Sequence, residues 1–346
     1  QNAPPGVLFA GDPGFPKAGT EGAWKIFAPR LGLVWDLAGN GRTIIRTGYG
    51  ILYDTPPLQI FDRFGFGPPW ASTITLPSPA GGFADPYSGL PGGNPFPQPL
   101  PPPADAVFPM GGQFINLPSQ IRLPYMQQWN INVQRQIGAD WLVSANYLGN
   151  KGTHRWLIID ANPGIYIPGT CGSQPCSTTG NVNNRRLLTL LNPTEGRKFS
   201  SLATVDDGGN NSYHGLLLSV NRRLQSHFSV LANYTWSHCL SEGGDLQSEI
   251  TVATQNPYDR GSERGNCQTD VRHLFNLSLV AETPHWRGNL LKAVISDWEL
   301  APIVTKRSGY WFSVSSGRDN SLTGIGADRA DIVGNPSVDD PTLNRW

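Results

Sequence analysis

The sequence predicts an all-β chain, an antiparallel meander of about eight long strands that forms part of a large transmembrane β-barrel with long loops on one side. Three observations predict it. Apolar residues alternate with small or polar ones at a period of two, in segments of about ten residues, the length a tilted strand needs to cross a bilayer. Short connections between these segments alternate with long ones. Large aromatic residues gather at the segment ends and not at their centres.

The first hairpin sets Leu31, Leu33, Trp35 and Leu37 against Arg30, Gly32, Val34 and Asp36. Ala38–Gly41 (AGNG) supplies a turn, and Ile45, Thr47, Tyr49, Ile51 and Tyr53 then alternate with Ile44, Arg46, Gly48, Gly50 and Leu52. Residues 55–123 follow as a first long loop. They hold more than half of the 31 prolines, including PQPLPPP, and proline cannot donate to a regular ladder. In the second hairpin Trp129, Ile131, Val133 and Ile137 alternate with Gln128, Asn130, Asn132, Gln134 and Gln136. A turn at Gly138–Asp140 leads to Trp141, Val143, Ala145 and Tyr147, alternating with Leu142, Ser144, Asn146 and Leu148. Residues 149–211 form a second long loop. The third hairpin runs Leu216, Leu218 and Val220 to a turn at Gln225–His227, then Phe228, Val230, Ala232, Tyr234 and Trp236. After a third long loop, 238–270, the fourth hairpin has Phe275, Leu277, Leu279 and Ala281 on one face, with Arg272, Asn276 and Ser278 on the other. Trp298, Leu300, Pro302 and Val304 form its partner, and residues 316–346 are a loop-like tail leading toward further strands.

The aromatics test the membrane reading separately. Trp35, Trp141, Phe228 and Trp298 stand near the short connections; Tyr53, Tyr125, Tyr147, Tyr213 and Trp236 stand near the long ones, and Trp129 opens the same row as Ile131. Amphipathic rings favour the two membrane–water interfaces, so a spanning barrel carries two aromatic girdles. The alternate face is rich in Asn, Gln and Ser, which suits a wet lumen. Arg46, Gln128, Asn130, Asn132, Arg272 and Asn276 are therefore expected to face the lumen.

Composition agrees. Only 15% of residues are charged, with 26 basic and 26 acidic side chains, so no electrostatic feature points to nucleic acid. No stretch reaches the roughly 18 consecutive apolar residues of a membrane helix, a limit that does not apply to a barrel. The N-terminus, QNAPPGVLF, has no initiator Met, basic region or apolar leader, so the chain is expected to be processed or a fragment.

The segment LPYMQQWNINVQRQIGADWLVSANYLGNKGTH resembles the barrel of TonB-dependent receptors of the Oar-like type, as do FAPRLGLVWDLAGNGRTIIRTGYGILYD, YTWSHCLSEGG, NPYDRGSERGNCQTDVRHLFNLSLVAETP and LAPIVTKRSGYWFSV, in that order. The tandem of QQWN, a strand turn and NYLGNKGTH carries most of the specificity. The resemblance implies a carboxypeptidase-regulatory-like domain, a plug and a barrel of about 22 strands, used for active uptake across the Gram-negative outer membrane. The resembling segments cover roughly residues 27–315, and residues 1–315 are assigned to a partial barrel. The resemblance implies outer-membrane lipid and the periplasmic TonB protein as partners, TonB acting through a plug that these residues do not include. The ligand stays open among iron chelates, glycans, peptides and proteins. KRSGYW replaces the QSGQPF-like run of the family, and Cys239 and Cys267 are additional to it.

Cys171 and Cys176, in CGSQPC, are candidates for a local disulfide, and Cys239 and Cys267 for one that closes the third long loop. A zinc site is the competing reading, but no CxxC pair or zinc-finger histidine spacing occurs. The six histidines, His154, His214, His227, His238, His273 and His285, are scattered and read as interface or loop residues. DDGGNN (Asp206–Asn211) lacks the spaced ligands and terminal Glu of a calcium loop and reads as a polar external turn. Arg46 and Arg272 could meet an anionic ligand or the plug, or pair with carboxylates on neighbouring strands. No catalytic, cofactor or metal motif stands out, so no enzyme and no cofactor is expected.

Transport is the leading function. A secreted or surface β-sandwich adhesin or carbohydrate-binding module is the alternative and requires a second sheet over the apolar face. A barrel hydrolase would need a Ser–His–acid cluster, and a closed eight-stranded barrel conflicts with the very long loops.

Overall fold

The structure, a computed structural model, describes residues 3–55, 67–70, 81–88, 93–94, 101–106, 108, 111–225, 227–243, 254–285, 296–326 and 328–335. Ser226 of the third turn, the start of PQPLPPP, parts of the first and third long loops and the end of the tail lie outside the described residues.

One large sheet dominates. Its wall is β1 (Arg30–Asp36), β2 (Thr43–Tyr53), β4 (Tyr125–Ile137), β5 (Trp141–Asp160), β8 (Phe199–Gln225), β9 (Phe228–Glu242) and β11 (His273–Glu282), each antiparallel to the next. β12 (Glu299–Leu300) and β13 (Ile303–Arg307) together form the eighth strand, paired with β11. β3 (Gly112–Asn116) runs parallel to the start of β8, and β10 (Arg264–Asn266) pairs with the end of β9. The only other sheet among the described residues is the small hairpin of β6 (Thr170–Cys171) and β7 (Gln174–Pro175).

The register puts the two periodic sets on opposite faces, because residues directly opposite one another share a face. One continuous row reads Trp35, Ile45, Val133, Ala145, Leu218, Tyr234 and Phe275, ending at Lys306. Leu31, Ile45, Ile131, Val143, Val230 and Leu277 all lie on this apolar face, and none is buried. Among the described residues no second sheet covers it, which removes the sandwich alternative. The polar face carries Asn146, Ser144, Ser219, Asn233 and Asn276, interrupted by Leu142, Leu217 and Leu231.

Tight turns close one end. Asp36 accepts the backbone N–H of Gly41 at 2.7 Å, and Gly39 and Gly41 both take positive φ, which glycine adopts without a Cβ clash. His227 takes φ of 71° between β8 and β9.

The strands correct the expectation of about ten residues each. β5 has 20 residues, β8 27 and β9 15. Much of the expected loop 149–211 is therefore ladder, with pairs continuing to Asp160↔Ala203 past two register shifts. DDGGNN is no turn; it lies within β8, opposite Gly152–Leu157. These stretches are glycine-rich and polar and lose the clean alternation, so local propensity misses them, while the cross-strand ladder satisfies their backbone groups. From Gly149 to Asp160 β5 rises about 35 Å at the usual strand pitch. The hairpin thus stands well beyond the membrane.

The buried core sits in this outer extension. Leu117, Trp156, Ile158 and Val205 cluster there, with Ile121 and Ala203 packed against them, and the Trp156 indole N–H donates to the Arg122 carbonyl at 2.8 Å. Within the membrane the wall has no such core, because lipid takes the place of a second layer.

Candidate functional site

The apolar face ends at a ring on each side. At the turn side Trp35, Trp141 and Phe228 lie on it, Trp141 and Phe228 with ring centroids 6.5 Å apart. The Arg222 guanidinium lies 3.5 Å from the Phe228 ring centroid and 5.5 Å from that of Trp141. Trp298 is exposed beside β12 at the same side, its backbone N–H held by the Thr283 hydroxyl at 2.9 Å. At the loop side the Tyr53 and Tyr125 rings lie with centroids 5.7 Å apart, tilted at 41°. Tyr147 bonds His214 at 2.8 Å and Tyr234 bonds His273 at 2.8 Å. Trp236 lies in the row of Leu216 and His273, and Trp129 covers Gly149, where an added Cβ would come within 2.4 Å of its ring. Tyr213 departs from the expectation. It pairs with Asn150 and Cys239, one residue out of phase with Leu216, and so belongs to the polar face.

The residues expected to face the lumen share the polar face. Arg46 stands opposite Asn132 and donates to the Gln134 side chain. Its partner is an amide; the carboxylate in the flanking row, Asp36 opposite Ile44, accepts the Gly41 amide instead. Asn130 lies against Gly48 and Gln128 against Gly50 and Asn150. Asn276 accepts from Thr305 at 3.0 Å. Arg272 sits at the outer rim of this face, 3.5 Å from a fully buried Asp270 carboxylate that also accepts from the Trp311 indole and the Cys239 amide.

Beyond the rim the connections build a cap. Both cysteine pairs are disulfides: Cys171–Cys176 closes the β6–β7 hairpin, and Cys239–Cys267 ties β9 to the segment after β10. Asp160 and Arg186 form an almost fully buried ion pair at 3.1 Å, and Asp160 also accepts the amides of Asn162 and Leu202. Asp207 takes Arg122 in a two-pronged contact of 2.7 and 3.0 Å. That hydrogen bonding holds the Asp207 carboxyl below the ordinary carboxylate range and raises Arg122. Asp206 holds Arg260 in the same way, at 2.8 Å through Nη2, which raises Arg260. Arg185 donates to the carbonyls of Thr178 and Leu322, both at 3.0 Å, and burial lowers its pKa.

The tail joins this cap. Gly164 donates to Thr323 at 2.8 Å, Asp319 accepts the amides of Thr323 and Gly324, and Arg329 pairs with Glu263. Between tail and wall lies a cavity of about 640 Å³, at the outer end of the polar face. Asn211, Cys239 and Ser241 supply its wall side, Gln255 and Glu263 one rim, and Asp328 and Arg329 the other. A second groove of about 530 Å³ near the tip is apolar, between Leu8, Phe114, Leu188 and Phe199. Among the described residues no group of three His, Cys, Asp or Glu could hold a metal ion. Arg122, Asp207, Arg260, Arg185 and the Glu263–Arg329 pair were not legible as a site; the adjacent acids of DDGGNN were the one local hint.

The whole chain, residues 1–346, matches the model of the outer membrane beta barrel domain family. The chain belongs to that family. Its place is the outer membrane, and its apolar face is the lipid-facing side of a barrel wall. No protein of curated function matches it. Among solved structures it is similar to the outer membrane transporter YddB of Escherichia coli at 11% identity and TM-score 0.48, covering 87% of this chain and 32% of that one. It is similar to the FrpB iron transporter of Neisseria meningitidis at 11% identity and TM-score 0.36, covering 74% and 24%. A mutant of the ferric enterobactin receptor PfeA of Pseudomonas aeruginosa gives 11% identity and TM-score 0.36, covering 73% and 25%. The chain thus spans a third or less of the length of these proteins.

Proposed function

We propose that residues 1–315 are part of the barrel of a TonB-dependent outer-membrane receptor and that the cap built on them takes a ligand from outside the cell. One observation carries this reading. A wall that is apolar toward lipid and polar toward the inside is crowned, on the polar side, by a disulfide-braced cap enclosing a cavity. A merely structural barrel has no use for strands that continue about 35 Å along their length beyond the outer aromatic ring. The ligand would enter from the cap side, and a plug supplied from outside these residues would rearrange when pulled by TonB. The role is transport: four ion pairs, Arg122–Asp207, Arg186–Asp160, Arg260–Asp206 and Arg329–Glu263, brace the loops of the cap.

The test uses the full-length receptor in detergent and the purified periplasmic domain of TonB from the same organism. Saturable binding that deletion of the receptor's own TonB box abolishes is expected. Absence of binding would overturn the transport reading and leave a static outer-membrane barrel.

A further inference from the structure

The lipid-facing side changes character abruptly at its outer end. Tyr147, Leu216 and Trp236 form the last largely apolar row of β5, β8 and β9. The next row outward is Gly149, His214 and His238, and the one beyond is Lys151, Ser212 and Leu240. Successive rows on one face are about 7 Å apart and neighbouring strands about 4.8 Å, so Lys151, His214 and His238 fit around one small group.

Lys151 and the far nitrogen of His214 are left without partners among the described residues. The Tyr147 hydroxyl engages Nδ1 of His214 with the rings nearly parallel, at 22°, and among the described residues nothing engages Nε2. Asn266 fixes His238 at 3.1 Å. Lys151 is exposed and has no ion-pair partner among the described residues, although both neighbouring strands of β5 are in place. The carboxylate of this region, Glu242, is taken by Arg264 at 3.6 Å and by Asn210 at 3.1 Å. At the lipid edge an unpaired lysine above an apolar row calls for an anion from the membrane itself, and its stem can lie on the apolar surface while its head reaches that anion.

We propose that the Lys151 ammonium and the free Nε2 of His214, flanked by His238, hold the phosphate-bearing head group of an outer-leaflet lipid, whose acyl chains run down the line of Leu216, Leu218 and Val220. His273, held by Tyr234 through Nδ1, lies one row inward on the same face, beside Trp236. This inference rests on the membrane placement of the wall and is independent of the transport reading.

The full-length receptor in detergent is titrated with bisphosphorylated lipid A, with the same lipid after enzymatic dephosphorylation, and with inorganic phosphate. A variant carrying Lys151→Gln, His214→Gln and His238→Gln is expected to bind the phosphorylated lipid at least about fivefold more weakly, the loss for one interfacial charge. The dephosphorylated lipid is expected to bind wild type no better than the variant, and inorganic phosphate not to compete. Lys151→Arg keeps the charge and is expected to keep the affinity, and heat-dependent gel migration confirms folding of each variant; if the triple variant does not fold, Lys151→Gln alone takes its place. Equal affinity for the two lipids, displacement by inorganic phosphate, or loss of binding in Lys151→Arg overturns the proposal.

Discussion

Ser144 and Ala145 are neighbours in β5 that point to opposite sides of the wall, and placing an arginine at each tests the whole assignment of faces. Ala145 lies between Val133 and Leu218 on the lipid side, midway between the rings marked by Trp141 and Trp129 over Gly149. Ser144 lies between Gln134 and Ser219 on the polar side. An arginine facing lipid near the bilayer midplane costs about 2–4 kcal/mol. At Ser144 the new cation meets neutral neighbours and water. The nearest like charge on the same face is Arg46, two strands and one row away, or about 12 Å, which costs about 0.3 kcal/mol in water. The expected difference is thus about 2–3.5 kcal/mol, or about 30- to 400-fold in the folding equilibrium. The assay is reversible unfolding of the full-length receptor in lipid vesicles by guanidinium, followed by tryptophan fluorescence. Equal penalties at the two positions, or a larger one for Ser144→Arg, would refute the assignment.

Other perturbations probe the cap. Reducing Cys239–Cys267, which closes a separation of 28 residues, is expected to lower cap stability by about 3–4 kcal/mol, and the short Cys171–Cys176 bridge by about 2, read as faster external proteolysis after each Cys→Ser exchange. The depressed Asp207 pKa implies stabilisation that is fully present above the unfolded value near pH 4 and fades as pH falls through the lower folded value; amide exchange around Arg122 is expected to accelerate only in that acid range, and Asp207→Asn to remove the dependence. Asp160→Ala strands Arg186 in a buried site and is expected to cost about 3–5 kcal/mol, with much of the loss recovered when both residues become apolar; limited proteolysis within 161–198 reports it. Gly149→Ala would push into the Trp129 ring, so it is expected to move that ring and change its quenching by brominated lipid, while Gly265→Ala, at a position with open space and no positive φ, leaves the quenching unchanged.

The faces of the wall are legible in the sequence. Alternation is a property of adjacent residues, and lipid on one side and water on the other impose it without long-range help, so Trp129, Ile131 and Val133 declared their side. The disulfide partners followed from an even count and their placement. Tyr213 was misplaced because its spacing to the end of the strand fits a girdle while its parity does not.

What the sequence by itself determined is therefore the two-sided wall, its turns and its rings, all encoded at a period of two. Only the tertiary structure decided where the strands end, that DDGGNN lies within a ladder, and how the tail clasps the cap. Arg185 reaches Leu322 across 137 residues and Arg260 reaches Asp206 across 54. Such contacts join single polar groups from irregular segments. They leave no periodic trace, because nothing but the folded backbone brings the partners within hydrogen-bond range.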